Sequence, residues 1–391
     1  MSPRPPANSP PPDLLAQQRF GDRPARPRHL TPTPLPPMAT IHPSVDFRSD
    51  TVTWPTPAMH DAMAAAELGD DVYGEDPTVN ELETLAASLL GKGAGLFVTS
   101  GTQGNLIAAL THAQRGDEAI LGEDAHTFCW EAGGIAVLGG ITTRPLPTDS
   151  RGRMALDRIQ AAMRVDNPHL PHSRLVLLEN SSGGNNGAAI EPDYFAAVSA
   201  LAQTHDLRVH LDGARLFNAA TALGLDPTAI TTHVDSVSVC LSKGLCAPVG
   251  SVLVGSEAFI HRARRHRKLL GGGMRQAGML AAAGILALQT MTQRLQTDHD
   301  NAQTLAQGLA AIPGIEIDPA VVETNMVFFN LAEDVAMAPE RLIETLRADY
   351  GLYLGGYGDR TLRAVTHYWI EPPQVERLVE AVSAILATAG E

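Results

Sequence analysis

The chain has 391 residues, of which 44% are hydrophobic and 18% charged, and carries a formal net charge of −14. That length accommodates two domains with sizeable cores, and the acidic balance argues against nucleic-acid or anionic-membrane partners. No apolar run approaches the ~18 residues of a membrane helix, and Cys129, Cys240 and Cys246 have no metal-ligand spacing and cannot all pair, which suits a reducing, cytoplasmic setting.

Residues 1–44 hold 13 of the 28 prolines and few large apolar side chains, so they are expected to remain disordered. They contain no secretory apolar core, and the prolines spoil an amphipathic transit helix. Met38 precedes the onset of globular patterning, which makes it an expected start of translation.

From Val45 to about Gly273 the pattern is strand, turn, helix, repeated. Strands are predicted over Gly95–Thr99, Glu118–Leu121, Leu175–Leu178, Arg208–Leu211, Val237–Leu241 and Ser251–Val254, with helices over Asn105–His112, Asp193–Thr204 and Phe217–Leu223. Continuous apolar strands separated by helices imply an α/β fold, with a mostly parallel sheet covered on both faces. Ligands of such sheets lie beyond the carboxyl ends of the strands.

Three post-strand stretches carry candidate chemistry. Thr99-Ser100-Gly101-Thr102-Gln103-Gly104-Asn105 leads a strand into a helix; it is either a glycine turn with a Thr cap or a cradle for a phosphate smaller than a nucleotide tail. His210-Leu211-Asp212-Gly213-Ala214-Arg215 places an aspartate where it either caps the next helix or faces a protonated pyridine nitrogen, with Arg215 as its surface partner in the first case. In Leu241-Ser242-Lys243-Gly244, the lysine either snorkels to water or serves as a nucleophilic amine, as the imine partner of pyridoxal phosphate does. Jointly the three point to one small phosphorylated ring.

Beyond Gly273 the chain reads as helices over Ala277–Leu288 and about Met291–Ile312, then Val327–Phe329, a helix Pro339–Asp349, Thr361–Val365 and a helix Pro373–Ala387. This is a smaller α+β domain, giving a division into 1–44, 45–275 and 276–391.

In order along the chain, Asp46-Phe47-Arg48-Ser49-Asp50-Thr51-Val52-Thr53, Gly69 to Asn80, Ser100-Gly101-Thr102-Gln103-Gly104-Asn105, His126 with Glu131-Ala132-Gly133-Gly134, Asp212-Gly213-Ala214-Arg215, Leu241 to Gly244, Gly271 to Gln276 and Arg363-Ala364-Val365-Thr366-His367 resemble the L-threonine aldolases. These belong to the β-eliminating lyase family, in the aspartate-aminotransferase fold group with its seven-stranded sheet. The resemblance implies pyridoxal 5'-phosphate as cofactor, with Lys243 holding it as an imine and Asp212 facing the pyridine nitrogen. It implies Gly101, Thr102, Arg215, Ser242 and Arg275 as cofactor contacts, with Arg275 reaching across a subunit boundary as one alternative. His126 would lie flat on the ring, and Ser49, Arg215 and Arg363 would bind the substrate carboxylate. His126 and His169 are the candidates for the base, His169 by its distance from Leu178-Glu179-Asn180, with His172 close by.

The implied reaction is cleavage of L-threonine, L-allo-threonine or a related β-hydroxy amino acid to glycine and an aldehyde, by a homodimer or homotetramer. Two departures stand out. Ser181-Ser182-Gly183-Gly184-Asn185-Asn186-Gly187 replaces the family's usual Thr-His-Asn, and Trp54 replaces a common basic residue, which suggests room for an aromatic substituent. The rival readings are β-elimination or transamination on the same scaffold, and a cofactor-binding protein without turnover. A nicotinamide enzyme is disfavoured, because no Gly-x-Gly-x-x-Gly follows an early strand.

Overall fold

Residues 45–389 are described by a computed structural model. The proline-rich extension and the expected start at Met38 lie outside the described residues.

Seven short strands form the central sheet, in the order Ala94–Val98, Ser251–Gly255, Ser236–Cys240, Arg208–Asp212, Ser173–Glu179, Glu118–Gly122 and Thr142–Leu146. All run parallel except Ser251–Gly255, which is antiparallel to both neighbours. Helices cover both faces, so Leu211, Val237, Val239 and Leu253 are fully buried and the strands carry continuous apolar runs. The register sets Glu179 beside Asp212 and Asp212 beside Ser238, which aligns the carboxyl ends on one rim.

Glycine permits one close approach beneath this sheet. A Cβ on Gly95 would stand 2.4 Å from the Glu83 carbonyl oxygen of helix Pro77–Leu89. Glu83 also accepts the Phe97 amide at 2.8 Å, so helix and strand cannot easily part. Gly95→Ala should therefore cost about 2–3 kcal/mol of unfolding free energy, as overpacked cores do. Gly74, with φ +74° and open space around it, should cost only about 1 kcal/mol on the same change, and paired denaturant melts would separate the two.

A second core gathers Phe47, Leu305, Leu309, Phe329, Leu342 and Leu378. Around it lie a four-stranded antiparallel sheet of Gly355–Gly356, Thr361–Val365, Met326–Leu331 and Ile315–Glu316, and a parallel pair of Val45–Asp46 with Leu352–Tyr353. The cores do not divide at residue 275. Helix Gly278–Gln289 is apolar all round and must be enclosed, so it packs on helices Pro57–Ala65 and Pro77–Leu89 and joins the first core through to Leu295. At the other end Phe47 packs with the C-terminal elements. The expected single helix from Met291 begins as a 3-10 turn, Met291–Arg294, before Leu295–Ala310 continues as α-helix. Among the described residues no helix is long and apolar enough to cross a membrane.

Candidate active site

The aligned strand ends deliver their successors to one cleft of about 350 Å³. Asp124 and His126 follow Glu118–Gly122, Glu179 ends Ser173–Glu179, Asp212 ends Arg208–Asp212, and Lys243 follows Ser236–Cys240. Ser49 and Arg215 also line the cleft, and Thr361–Val365 of the second sheet contributes Arg363. Six of the residues expected from sequence are thus brought together.

Lys243 is half-buried in a loop whose backbone is tied down. Its carbonyl accepts the Thr53 hydroxyl at 2.8 Å and the Cys246 amide at 2.9 Å. Asp212, 3% exposed, does not cap a helix by reaching its far amides. Oδ1 accepts the nearby Ala214 amide at 3.0 Å, and Oδ2 accepts Asn105 Nδ2 at 2.8 Å.

His126 opens a short helical turn. Its backbone amide donates to Glu179 Oε2 at 2.9 Å, and its Nδ1 lies 3.0 Å from Glu131 Oε1. The hydrogen bond to Glu131 raises the His126 pKa above 6.5, against the opposing effect of burial. Donor atoms of His126, Glu131 and Asp212 lie within 4.8 Å of one another. Burial pushes Glu131 and Glu179 above the usual carboxylate range, and the nearby Asp212 carboxylate adds to both shifts.

The two arginines differ. Arg215 forks onto Asp50, with Nε to Oδ2 at 2.8 Å and Nη2 to Oδ1 at 2.6 Å. Burial alone would raise the Asp50 carboxyl, but Arg215 overrides it and holds Asp50 well below the usual range. Arg215 is therefore partnered by Asp50 from within the fold, not by Asp212. Arg363 has no carboxylate partner among the described residues; its Nη2 donates to the Arg48 carbonyl at 3.1 Å, and its guanidinium sits 5.6 Å from the Tyr357 ring centroid. Burial, and then repulsion from Arg215, lower its pKa against the opposing attraction of Asp50.

The remaining expected residues lie elsewhere. Gly101 and Thr102 open helix Gly101–His112, whose cap is Ser100 rather than Thr102: the Ser100 hydroxyl accepts the Gln103 amide. Gly101 is required by proximity, since a Cβ there would stand 2.9 Å from Cys240 Sγ. That contact sets the helix N-terminus over the strand end two residues before Ser242, which is half-buried. Arg275 is an exposed partner of Asp70 at 2.8 Å and does not line this chain's cleft.

His169 is exposed and precedes strand Ser173–Glu179. Seven extended residues separate the strand's two ends by about 20 Å, so His169 belongs to the opposite rim from Glu179 and does not join the cleft within this chain. His172 is there too, its carbonyl accepting the Glu118 amide. Trp54 also lies outside the cleft, where its carbonyl accepts the Trp369 indole; the aromatic walls are Trp130 and Tyr357. Sequence reasoning assigned no role to Glu179, Asp124, Glu131 or Asn105. A signal existed for the first two, which follow strands just as Asp212 does.

Comparison with known proteins gives a consistent set of findings. Residues 46–333 match the family model described as beta-eliminating lyase. The chain is 44% identical to low-specificity L-threonine aldolase 1 of Arabidopsis thaliana over 89% of this chain and 98% of the relative. It is 43% identical to the low specificity L-threonine aldolase of Escherichia coli K12 over 88% and 99%. Among solved structures, the Leishmania major threonine aldolase has a TM-score of 0.72 at 23% identity, covering 87% of this chain and 99% of that one. An SPT solved with PLP has a TM-score of 0.67 at 19% identity, covering 89% and 88%.

Proposed function

Because this chain belongs to the beta-eliminating lyase family, we propose that its cleft cleaves L-threonine, L-allo-threonine and related β-hydroxy-α-amino acids to glycine and an aldehyde. The observation that carries the reading is the convergence on one cleft of a lysine, an aspartate, a histidine and an arginine that has no acid partner among the described residues, in a chain 43–44% identical to named threonine aldolases.

The donor set fits pyridoxal 5'-phosphate. Lys243 offers the amine for its aldehyde carbon, and Asp212 retains acceptor capacity toward a ring nitrogen. The helix N-terminus at Gly101 and Thr102, held against Cys240, suits a phosphate. Bound there, the cofactor supplies the electron sink that lets a Cα–Cβ bond break heterolytically. The protein's own groups do the rest. Arg363, with Ser49 and the remaining capacity of Arg215, would bind the substrate carboxylate and so hold the substrate in one orientation about Cα. The Nδ1–H of His126 donates to Glu131, which leaves the Nε2 lone pair to receive the β-hydroxyl proton, directly or through water.

Arg275 extends the reading to assembly. Exposed, and paired among the described residues with Asp70, it is available to a neighbouring copy in a homodimer or homotetramer.

His126→Phe should retain the cofactor yet lower cleavage about 10²–10⁴-fold. In the unsubstituted enzyme, the acid limb of kcat/KM should have its midpoint above 6.5, because the neutral ring is the acceptor and Glu131 raises its pKa. Activity thus falls as pH drops through that midpoint, and the limb should vanish in His126→Phe. Unchanged cleavage in the variant would remove His126 from the reaction.

The experiment that tests the whole reading is an absorption spectrum of the purified protein supplied with pyridoxal phosphate, before and after borohydride. An aldehyde assay on threonine, allo-threonine and phenylserine completes it. A reducible chromophore with aldehyde release supports cleavage; a chromophore with pyruvate or a keto acid instead would favour β-elimination or transamination.

A further inference from the structure

Asn105 is completely buried on helix Gly101–His112, facing the sheet. Its Nδ2 lies 2.8 Å from Asp212 Oδ2 and 2.9 Å from Glu131 Oε1, while its Oδ1 lies 3.1 Å from His210 Nε2. Two acceptor carboxylates consume both amide hydrogens, so the amide has one allowed orientation. His210 must then donate through Nε2.

Burial pulls the His210 pKa down to about 3, so the ring is neutral and its Nδ1 carries a lone pair. The Ser236 hydroxyl, 2.8 Å from Nδ1, must donate to it. The same oxygen is left to accept from His112 Nε2 at 2.7 Å, and His112 is also neutral, its pKa lowered by burial to about 3. From His112 to Asp212 every proton therefore has one place, and every donor points toward the cleft.

We propose that His112, Ser236, His210 and Asn105 are positioning residues: a one-way donor chain that fixes the Asp212 carboxylate toward the ring nitrogen of bound pyridoxal phosphate and, through Glu131, fixes the His126 ring over it. The inference rests on the proposed cofactor. One amide ties the group that addresses the cofactor's edge to the group that addresses its face. It also bridges two carboxylates that would otherwise repel, and Glu179, beside Asp212 in the sheet, adds a third acid there. A sheet interior that needed only volume would be filled more cheaply by apolar side chains, since each buried polar atom here requires its partner.

The test compares the full-length protein with Ser236→Ala, His210→Leu and His210→Gln. The readouts are the dissociation constant for pyridoxal phosphate, the absorption band of the bound cofactor with its pH midpoint, and the melting temperature of each apoprotein. Ser236→Ala and His210→Leu should weaken cofactor binding about tenfold and move the pH midpoint of the band by about one unit. His210→Gln, whose amide nitrogen takes the place of Nε2, should stay within about twofold of the unsubstituted protein.

Binding and spectra unchanged in Ser236→Ala and His210→Leu would overturn the proposal. So would equal losses in His210→Gln and His210→Leu, which would mark packing alone. Should His210→Leu fail to fold, Ser236→Ala, which lacks a single oxygen, decides. Independently of the cofactor, ring-nitrogen NMR of the apoprotein should show His210 and His112 as neutral Nε2–H tautomers between about pH 6 and 8; an Nδ1–H tautomer at either position overturns the chain. A protein that takes up no pyridoxal phosphate at all would defeat the proposed function, while the NMR result would still judge the donor chain.

Discussion

Lys243→Ala is expected to lower threonine cleavage by at least about 10⁴-fold, equivalent to roughly 5.5 kcal/mol of transition-state stabilisation. Among the described residues Lys243 is the one lysine lining the cleft, and on the proposed reading its loss removes covalent retention of the cofactor. It should not remove the fold. The loop is held by its backbone, through the Thr53 hydroxyl and Cys246 amide on the Lys243 carbonyl and through the Leu241 and Ala247 amides, and none of these contacts uses the amine. Steady-state aldehyde release measures the loss, and mass analysis after borohydride should find the added cofactor mass on the Lys243 peptide of the unsubstituted protein alone. Cleavage retained above about a hundredth of the original rate would sink the assignment, because general acid–base groups left in the cleft would then be carrying most of the reaction.

The sheet was legible because its strands are buried on both faces and so spell continuous apolar runs. Thr142–Leu146 escaped because it is an edge strand, half-exposed, with Pro145 inside it; neither alternation nor an apolar run survives there. Helix Glu257–Leu269 escaped for another reason. Its dense Arg and His content hides the inward face of Phe259, Ile260 and Ala263, and Arg267 is buried because Asp71 and the Phe97 carbonyl each meet it at 2.7 Å. The boundary at residue 275 followed a change in composition, whereas the cores follow contact, and the alanine-rich helix had to be enclosed.

The same distinction governs the site. Lys243 and Asp212 were readable because each stands at or just beyond a strand end, where fold geometry collects residues, whereas His126 was reached only through the family resemblance. Arg215 was readable as a cleft residue but not as the partner of Asp50, 165 positions away. His169 was placed by counting along the sequence, and the count crossed a whole strand. Asn105 and Glu131 stood in recognised motifs, but their role depends on two hydrogens of one amide reaching carboxylates 26 and 107 positions distant, which no local pattern encodes.

The difference between the two arginines yields the other large effect. Arg363→Leu should lower kcat/KM for threonine about 10³-fold, mainly through KM, with pyridoxal phosphate still bound. Arg363→Lys should recover only part of this, because an ammonium supplies charge but not the planar fork that matches a carboxylate. Neither change should destabilise the protein by more than about 1 kcal/mol: Arg363 is a desolvated cation repelled by Arg215, so its removal relieves an unfavourable interaction. Arg215→Leu should behave oppositely. It strands the fully buried Asp50 without its fork and should cost about 3–5 kcal/mol of stability before any catalytic consequence is counted. Parallel melts and steady-state kinetics on the two leucine variants separate substrate binding from structural pairing. An Arg363→Leu enzyme with unaltered KM for threonine but weakened cofactor binding would move Arg363 from the substrate to the phosphate, and the carboxylate site would have to be sought at Ser49 and Arg215 alone.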